Sequence, residues 1–143
     1  MTAYALSLFL FLTHGRQGPY TREVAHAIGT TAHTQRDVRA LVAVAWIECR
    51  LAQWCGRRWS PWGLTSRRGS GDLPLVDSAR IALGSLHADT CETAFGMAFR
   101  FNSGDFMCRW RRCPREHRAR LRCLRARPYA VRVVRLMRQL RNH

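Results

Sequence analysis

Apolar residues recur at helical rather than strand spacing along most of this chain. Helices are predicted over 21–32, from a Thr34-x-x-Asp37 capping box to about residue 53, over 72–87, from 89 to about 102, and from Pro128 onwards. The second of these contains Leu41–Ile47, which is apolar on every face and typical of a central helix. The chain is therefore predicted to be mainly α, with one central buried helix, surrounding helices and a short loop or hairpin region at 54–74.

The two ends of the chain carry different patterns. Residues 1–20 form an N-terminal apolar segment, whose run 3–12 is too short to span a bilayer. This segment is either an uncleaved helix, buried or touching a membrane, or a signal peptide, since 25–27 has the small-x-small form of a cleavage site. Residues 21–143 are predicted to form one domain. The final helix belongs to it because four apolar residues share one face: Tyr129, Val133, Leu136 and Leu140.

The net charge of the chain limits the classes of molecule that it is expected to bind. The 143 residues carry a formal net charge of +15, all 24 basic residues are arginine, and 47% of the residues are hydrophobic, which excludes simple disorder. The segment 106–143 holds thirteen arginines and one acid, Glu116. Such charge favours polyanions, which include nucleic acid, anionic lipid and acidic wall polymers. An Arg-rich nucleic-acid-binding protein is one alternative, although no known binding motif occurs.

Glu48 is the residue that fits its surroundings least. At 100° per residue it shares a face with Leu41 and Ala45 at the end of the most apolar helix. A carboxylate among apolar side chains would be desolvated and more readily protonated, as a general acid requires. The alternative is a helix-end glutamate that points to water or pairs with an arginine. A loop rich in glycine and tryptophan follows, which is typical of a sugar-binding wall.

Four segments, in order from about residue 21 to 140, resemble the lytic transglycosylases of the lysozyme-like superfamily. They are Ala43-x-x-x-Ile47-Glu48-Cys49, Ser60-Pro61-Trp62-Gly63-Leu64, Phe101-Asn102-Ser103-Gly104 and Tyr129-Ala130-x-x-Val133. The resemblance implies a lysozyme-like α+β fold that acts on the glycan strand of peptidoglycan. It also implies that Glu48 protonates the bond between N-acetylmuramic acid and N-acetylglucosamine and then acts as base, which leaves 1,6-anhydro ends.

No metal or cofactor is implied by the resemblance. The substrate-binding residues that it implies are Ser60, Trp62, Gly63, Leu64, Thr65, Ser66, Phe101, Asn102 and Tyr129. Trp62 could equally belong to the core, and Asn102 could also end a helix. The partners implied are the glycan strand, anionic envelope polymers bound by the C-terminal arginines, and phage virion proteins. The implied location is periplasmic, secreted or virion-associated.

The sequence also departs from the family pattern. Thr65 and Ser66 replace Met and Gln, Phe101 replaces a tyrosine, and Cys49 replaces a serine. An inactive relative is therefore one alternative. A hydrolytic lysozyme is another, but it would normally need a second carboxylate nearby. The only acid between Glu48 and the next predicted helix, Asp72, is better explained as the cap of that helix.

Six cysteines allow three interpretations. A protein working outside the reducing cytosol is expected to pair some of them, most readily among Cys108, Cys113 and Cys123. Free thiols are the second possibility. Zinc is the third, because His117 lies between these cysteines, although the spacing matches no established zinc motif.

Overall fold

The computed structural model describes residues 1–50, 61–62, 74–87, 93–103 and 117–143. This part of the chain is mainly helical and contains no strand. Its six α-helices are α1 (Thr2–Leu12), α2 (Pro19–Thr31), α3 (Gln35–Cys49), α4 (Leu75–His87), α5 (Ala94–Ser103) and α6 (His117–Gln139), and a short 3-10 turn (Leu140–Asn142) follows. The mainly α fold class is confirmed. Most of the predicted region at 54–74 lies outside the described residues.

Helix α3 is the centre of the domain, as predicted. It contacts α1, α2, α4 and α6. All residues from Ala40 to Ala45 are buried, so this stretch has no solvent-facing side. An all-apolar helix surrounded by other helices is the arrangement that the hydrophobic effect favours for such a sequence.

Local interactions define both the start and the end of α3. Thr34 and Asp37 form the predicted capping box: Asp37 N–H donates to Thr34 Oγ1 at 3.1 Å, and Thr34 N–H donates to Asp37 Oδ2 at 2.9 Å. The helix ends earlier than predicted, because Arg50 adopts a left-handed conformation with φ 50°. Such a conformation costs a non-glycine residue free energy. The Arg50 guanidinium lies 5.3 Å from the centroid of the Trp46 ring, a cation–π contact that offsets part of this cost.

The N-terminal apolar segment forms α1 and packs into the domain. Ala5, Leu8 and Phe9 are fully buried, and α1 contacts both α2 and α3. Arg39 of α3 donates a hydrogen bond of 3.1 Å to the Tyr4 hydroxyl. Across the described ranges, no helix is both long enough and apolar enough to cross a membrane.

The approach of α1 to α2 depends on a glycine. A Cβ atom added to Gly29 would overlap the backbone and side chain of Thr2, whereas a Cβ added to Gly84 in α4 would meet nothing. We expect Gly29→Ala to lower the free energy of unfolding by about 1–3 kcal/mol through overpacking. Gly84→Ala should raise it by about 0.5–1 kcal/mol through helix propensity. Urea unfolding of both variants checks this, and equal shifts in the two would contradict the close contact.

Helix α6 differs from the prediction at its start. The sequence placed Pro128 in the first turn, but α6 begins at His117 and contains Pro128 in its interior. Proline removes one backbone hydrogen bond, here to the carbonyl of Leu124. Both residues lie on the exposed side of α6, where water can hydrate that carbonyl. The predicted apolar face is confirmed, since Tyr129, Val133, Leu136 and Leu140 are all buried.

A hydrogen-bonded contact joins the start of α3 to the end of α4. His87 Nε2 lies 2.7 Å from Asp37 Oδ1, with His87 half-exposed and Asp37 buried. Burial alone would raise the pKa of Asp37, but hydrogen bonds from His87 and Thr34 outweigh it and hold this pKa below its ordinary value of 3.8. The ionised carboxylate therefore contributes to stability.

This lowered pKa gives a pH-dependent prediction. Because the folded pKa is depressed, the contribution of Asp37 is fully present above pH 3.8 and is lost as the pH falls through the folded value. At neutral pH, Asp37→Asn should lower the free energy of unfolding by about 1–3 kcal/mol. The difference from wild type should shrink below about pH 3.8. Urea titrations at several pH values measure this difference. Asp77→Asn is the control, because the contact of Asp77 that the structure describes is a solvent-exposed pair with Arg80.

Candidate functional site

Glu48 lies in the last turn of α3, two residues before the left-handed Arg50. Its side chain is exposed, so the desolvation expected from the sequence does not occur in this structure. The reason is geometric: the buried stretch of α3 ends at Ala45, and from Trp46 onwards the helix emerges at the surface. The Glu48 carboxylate is thus exposed to solvent at the end of a helix whose middle part is fixed in the core.

Two of the predicted substrate-binding residues meet next to this helix end. Phe101 of α5 stacks on Tyr129 of α6, with ring centroids 6.5 Å apart and an angle of 13° between the planes. Tyr129 is 4% exposed, whereas Phe101 is half-buried. Asn102 is exposed and lies in the last turn of α5, which ends at Ser103, so the predicted end of this helix at about residue 102 is confirmed.

The Tyr129 hydroxyl is electrostatically linked to Glu48. Burial raises the pKa of Tyr129 well above its ordinary value, and the Glu48 carboxylate raises it further. Among the residues that the structure describes, no group accepts a well-aligned hydrogen bond from this hydroxyl. Glu48 is therefore close enough to act on this hydroxyl.

Arg132 is a neighbour of the Tyr129 hydroxyl that the sequence analysis did not identify. Its positive charge lowers the pKa of Tyr129, in opposition to burial and Glu48. Helical periodicity places Arg132 on the outward face of the last helix, away from Val133 and Leu136. The available signal was its spacing, since residues three apart on a helix are neighbours and Arg132 follows Tyr129 by three.

Trp62 is not available to a sugar ring. It is fully buried, and its indole Nε1–H donates to the backbone oxygen of Leu41 at 3.0 Å. A ring that stacks on substrate must present a face to solvent, so the implied substrate-binding role is corrected to a core role. The other loop residues, Ser60, Gly63, Leu64, Thr65 and Ser66, lie outside the described residues.

One cavity of about 430 Å³ opens elsewhere, between α2 and α4. Its walls include Arg22, Glu23, His26 and Leu75. It contains none of the residues predicted for the site. Because this cleft contains a carboxylate, Glu23, it is an alternative location for a catalytic site. Substitution of Glu23 can therefore be compared with substitution of Glu48.

Two of the six cysteines, Cys49 and Cys123, belong to the described residues. Cys49 and Cys123 are both disulfide-bonded, and no free thiol occurs among the cysteines that the structure describes. The other four cysteines lie outside the described ranges, so the pairing scheme stays a prediction. Within those ranges, no group of three His, Cys, Asp or Glu side chains is placed to hold a metal ion.

Comparisons with known proteins add no assignment to this geometry. No protein family, curated protein or solved structure matches the chain.

Proposed function

We propose that this protein is a peptidoglycan lytic transglycosylase in which Glu48 is the general acid and base. The observation that carries the proposal is the association of Glu48, Phe101 and Tyr129. These residues come from three different helices and from three separate segments that resemble the family. The Phe101–Tyr129 stack and the electrostatic link from Tyr129 to Glu48 bring those segments to one place.

The proposed reaction needs one carboxyl group. Glu48 donates its proton to the glycosidic oxygen, and the bond from that oxygen to C1 of the muramyl residue breaks. The muramyl 6-hydroxyl attacks C1, and its proton returns to the Glu48 carboxylate. A glycan strand lying over the exposed carboxylate would itself exclude water and favour this cycle. Tyr129, which keeps its proton because of its raised pKa, supplies a donor that can orient Glu48.

The other acidic residues that the structure describes lie away from Glu48 and have other contacts. Nine acids occur in the chain, and the described ranges contain four: Glu23, Asp37, Glu48 and Asp77. Asp37 caps α3 and binds His87, Asp77 pairs with Arg80, and Glu23 lines the cleft between α2 and α4. Hydrolysis through a second carboxylate, as in many lysozymes, would have to draw on the remaining acids.

Digestion of purified peptidoglycan tests the proposal directly. Mass spectrometry of the soluble muropeptides should show 1,6-anhydromuramyl ends, which are lighter by one water than reducing ends. Reducing ends would replace the lyase with a hydrolytic lysozyme on the same site. Absence of any soluble product from folded protein would remove the enzymatic proposal and favour an inactive relative.

The environment proposed for the reaction is the bacterial envelope. A periplasmic, secreted or virion-associated location would give the site access to its polymer. The arginines of residues 106–143 are proposed to hold the protein on acidic envelope polymers. Phage virion proteins are the proposed delivery partners if a virus encodes the chain. Weaker pelleting with cell walls at higher salt supports the electrostatic part of this proposal, and pelleting unchanged by salt removes it.

Tyr129→Phe separates a positioning role from a packing role. The change keeps the ring stacked on Phe101 and removes a buried hydroxyl that lacks an aligned hydrogen-bond partner in the described part of the chain. Stability should therefore be unchanged or rise by up to about 1 kcal/mol. If the hydroxyl orients Glu48, kcat should fall by about ten-fold with little change in KM and a shifted pH profile. Unchanged kcat and pH profile would assign Tyr129 to packing alone.

A further inference from the structure

We propose that the outward face of α6 is a docking surface for an anionic lipid bilayer. The proposal is independent of the enzymatic activity proposed above. Leu121, Leu124 and Val131 are unusually exposed for large apolar side chains, at 41%, 54% and 43%. Helical geometry places all three in one narrow stripe together with Pro128, on the side of α6 opposite its buried face. The stripe is about 15 Å long at 1.5 Å per residue.

Arginines border this stripe on both sides. Arg120 and Arg138 flank one edge, Arg125 and Arg132 flank the other, and all four are exposed. Helix α6 carries eight arginines and no acidic residue. An apolar stripe between rows of long cationic side chains is the pattern of helices that lie in the plane of a membrane interface. The arginine stems reach along the apolar zone while their guanidinium groups meet lipid phosphates.

The exposed apolar stripe between the arginines favours lipid over the other polyanions as the occupant of this face. A nucleic acid or an acidic wall polymer would be bound by the arginines and would gain nothing from three leucine and valine side chains between them. Anionic lipid uses both components, because phosphates meet the arginines and acyl chains receive the apolar side chains. The buried face of α6 holds Tyr129 on the opposite side, so a bilayer docked here would leave Glu48 facing away from the lipid.

Vesicle co-sedimentation of the full chain tests this surface. The wild-type protein should bind vesicles of mixed phosphatidylcholine and phosphatidylglycerol much more strongly than vesicles of pure phosphatidylcholine. Leu121→Gln with Leu124→Gln keeps the charge and helix propensity and should weaken binding by at least about ten-fold. The matched control is Ile81→Gln, which removes an equally exposed apolar side chain (46%) from α4 and should bind as wild type.

Charge and apolar contributions are measured separately. Arg120→Gln with Arg125→Gln should also weaken binding by about ten-fold, and the remaining affinity should depend less on salt. Val131→Gln offers an independent variant if the double leucine change disturbs folding, which circular dichroism reports. Vesicle binding that survives all the apolar substitutions would overturn the proposal in favour of simple adsorption of a cation. Digestion of purified, lipid-free peptidoglycan should be unchanged by the leucine substitutions, so failure of this proposal is distinct from failure of the enzymatic one.

Discussion

Glu48→Gln is expected to slow the digestion of purified peptidoglycan by about 10²–10⁴-fold, the usual contribution of general acid–base catalysis. Glutamine keeps the size and shape of the side chain but cannot exchange a proton at the glycosidic oxygen. Because Glu48 is exposed and makes no ion pair among the described residues, folding and stability should stay within about 0.5 kcal/mol of wild type. Turbidity loss, followed by the masses of the released muropeptides, measures the effect.

Glu23→Gln is the matched control for this substitution. It makes the same chemical change on another exposed helical glutamate, in the cleft between α2 and α4. We expect it to leave the rate of digestion unchanged. If Glu23→Gln abolished digestion and folded Glu48→Gln protein retained it, the catalytic site would lie in that cleft and the proposed mechanism would be wrong.

The sequence pattern predicted the central helix most accurately, because both of its determinants are local. An apolar run without a polar stripe requires burial on every side, and the Thr34–Asp37 pair fixes the first turn through its own hydrogen bonds. The end of the helix was less predictable. It depends on Arg50 in a left-handed conformation, and neither composition nor periodicity indicates such a conformation for an arginine.

In helix α6, tertiary contacts override the local preference of proline for the first turn of a helix. Proline favours the first turn of a helix, so Pro128 indicated a start. The observed helix extends eleven residues further towards the N terminus and contacts α3 and α5. Burial of Cys123 and Ala126 against the core accompanies this extension. Packing of this kind can exceed the cost of one lost hydrogen bond, and its partners are distant in sequence.

The candidate residues could be chosen from the sequence, but the environment of each one could not be predicted from it. Glu48, Phe101 and Tyr129 were chosen from short motifs, and the structure brings them together. Whether Glu48 is buried depends on where α3 leaves the core, and helical periodicity alone does not define that point. The same limit applies to Trp62, whose local sequence fits both a sugar-binding loop and a core anchor.

The assignment of Trp62 to the core predicts the largest effect on stability. Its side chain is fully buried and joins the 61–62 turn to the middle of α3 through the bond to Leu41. We expect Trp62→Ala to lower the free energy of unfolding by about 3–5 kcal/mol, through lost apolar burial and the cavity left behind. Urea unfolding followed by circular dichroism measures this change.

Trp62→Phe distinguishes this core role from a sugar-binding role. Phenylalanine retains much of the buried apolar area and loses the indole donor. The Leu41 oxygen is also placed to accept the helical N–H four residues later, so the loss should cost only about 1–2 kcal/mol. KM for peptidoglycan should be unchanged in Trp62→Phe, because a fully buried ring cannot touch the glycan. Wild-type stability together with a strongly raised KM would instead show that Trp62 binds the substrate.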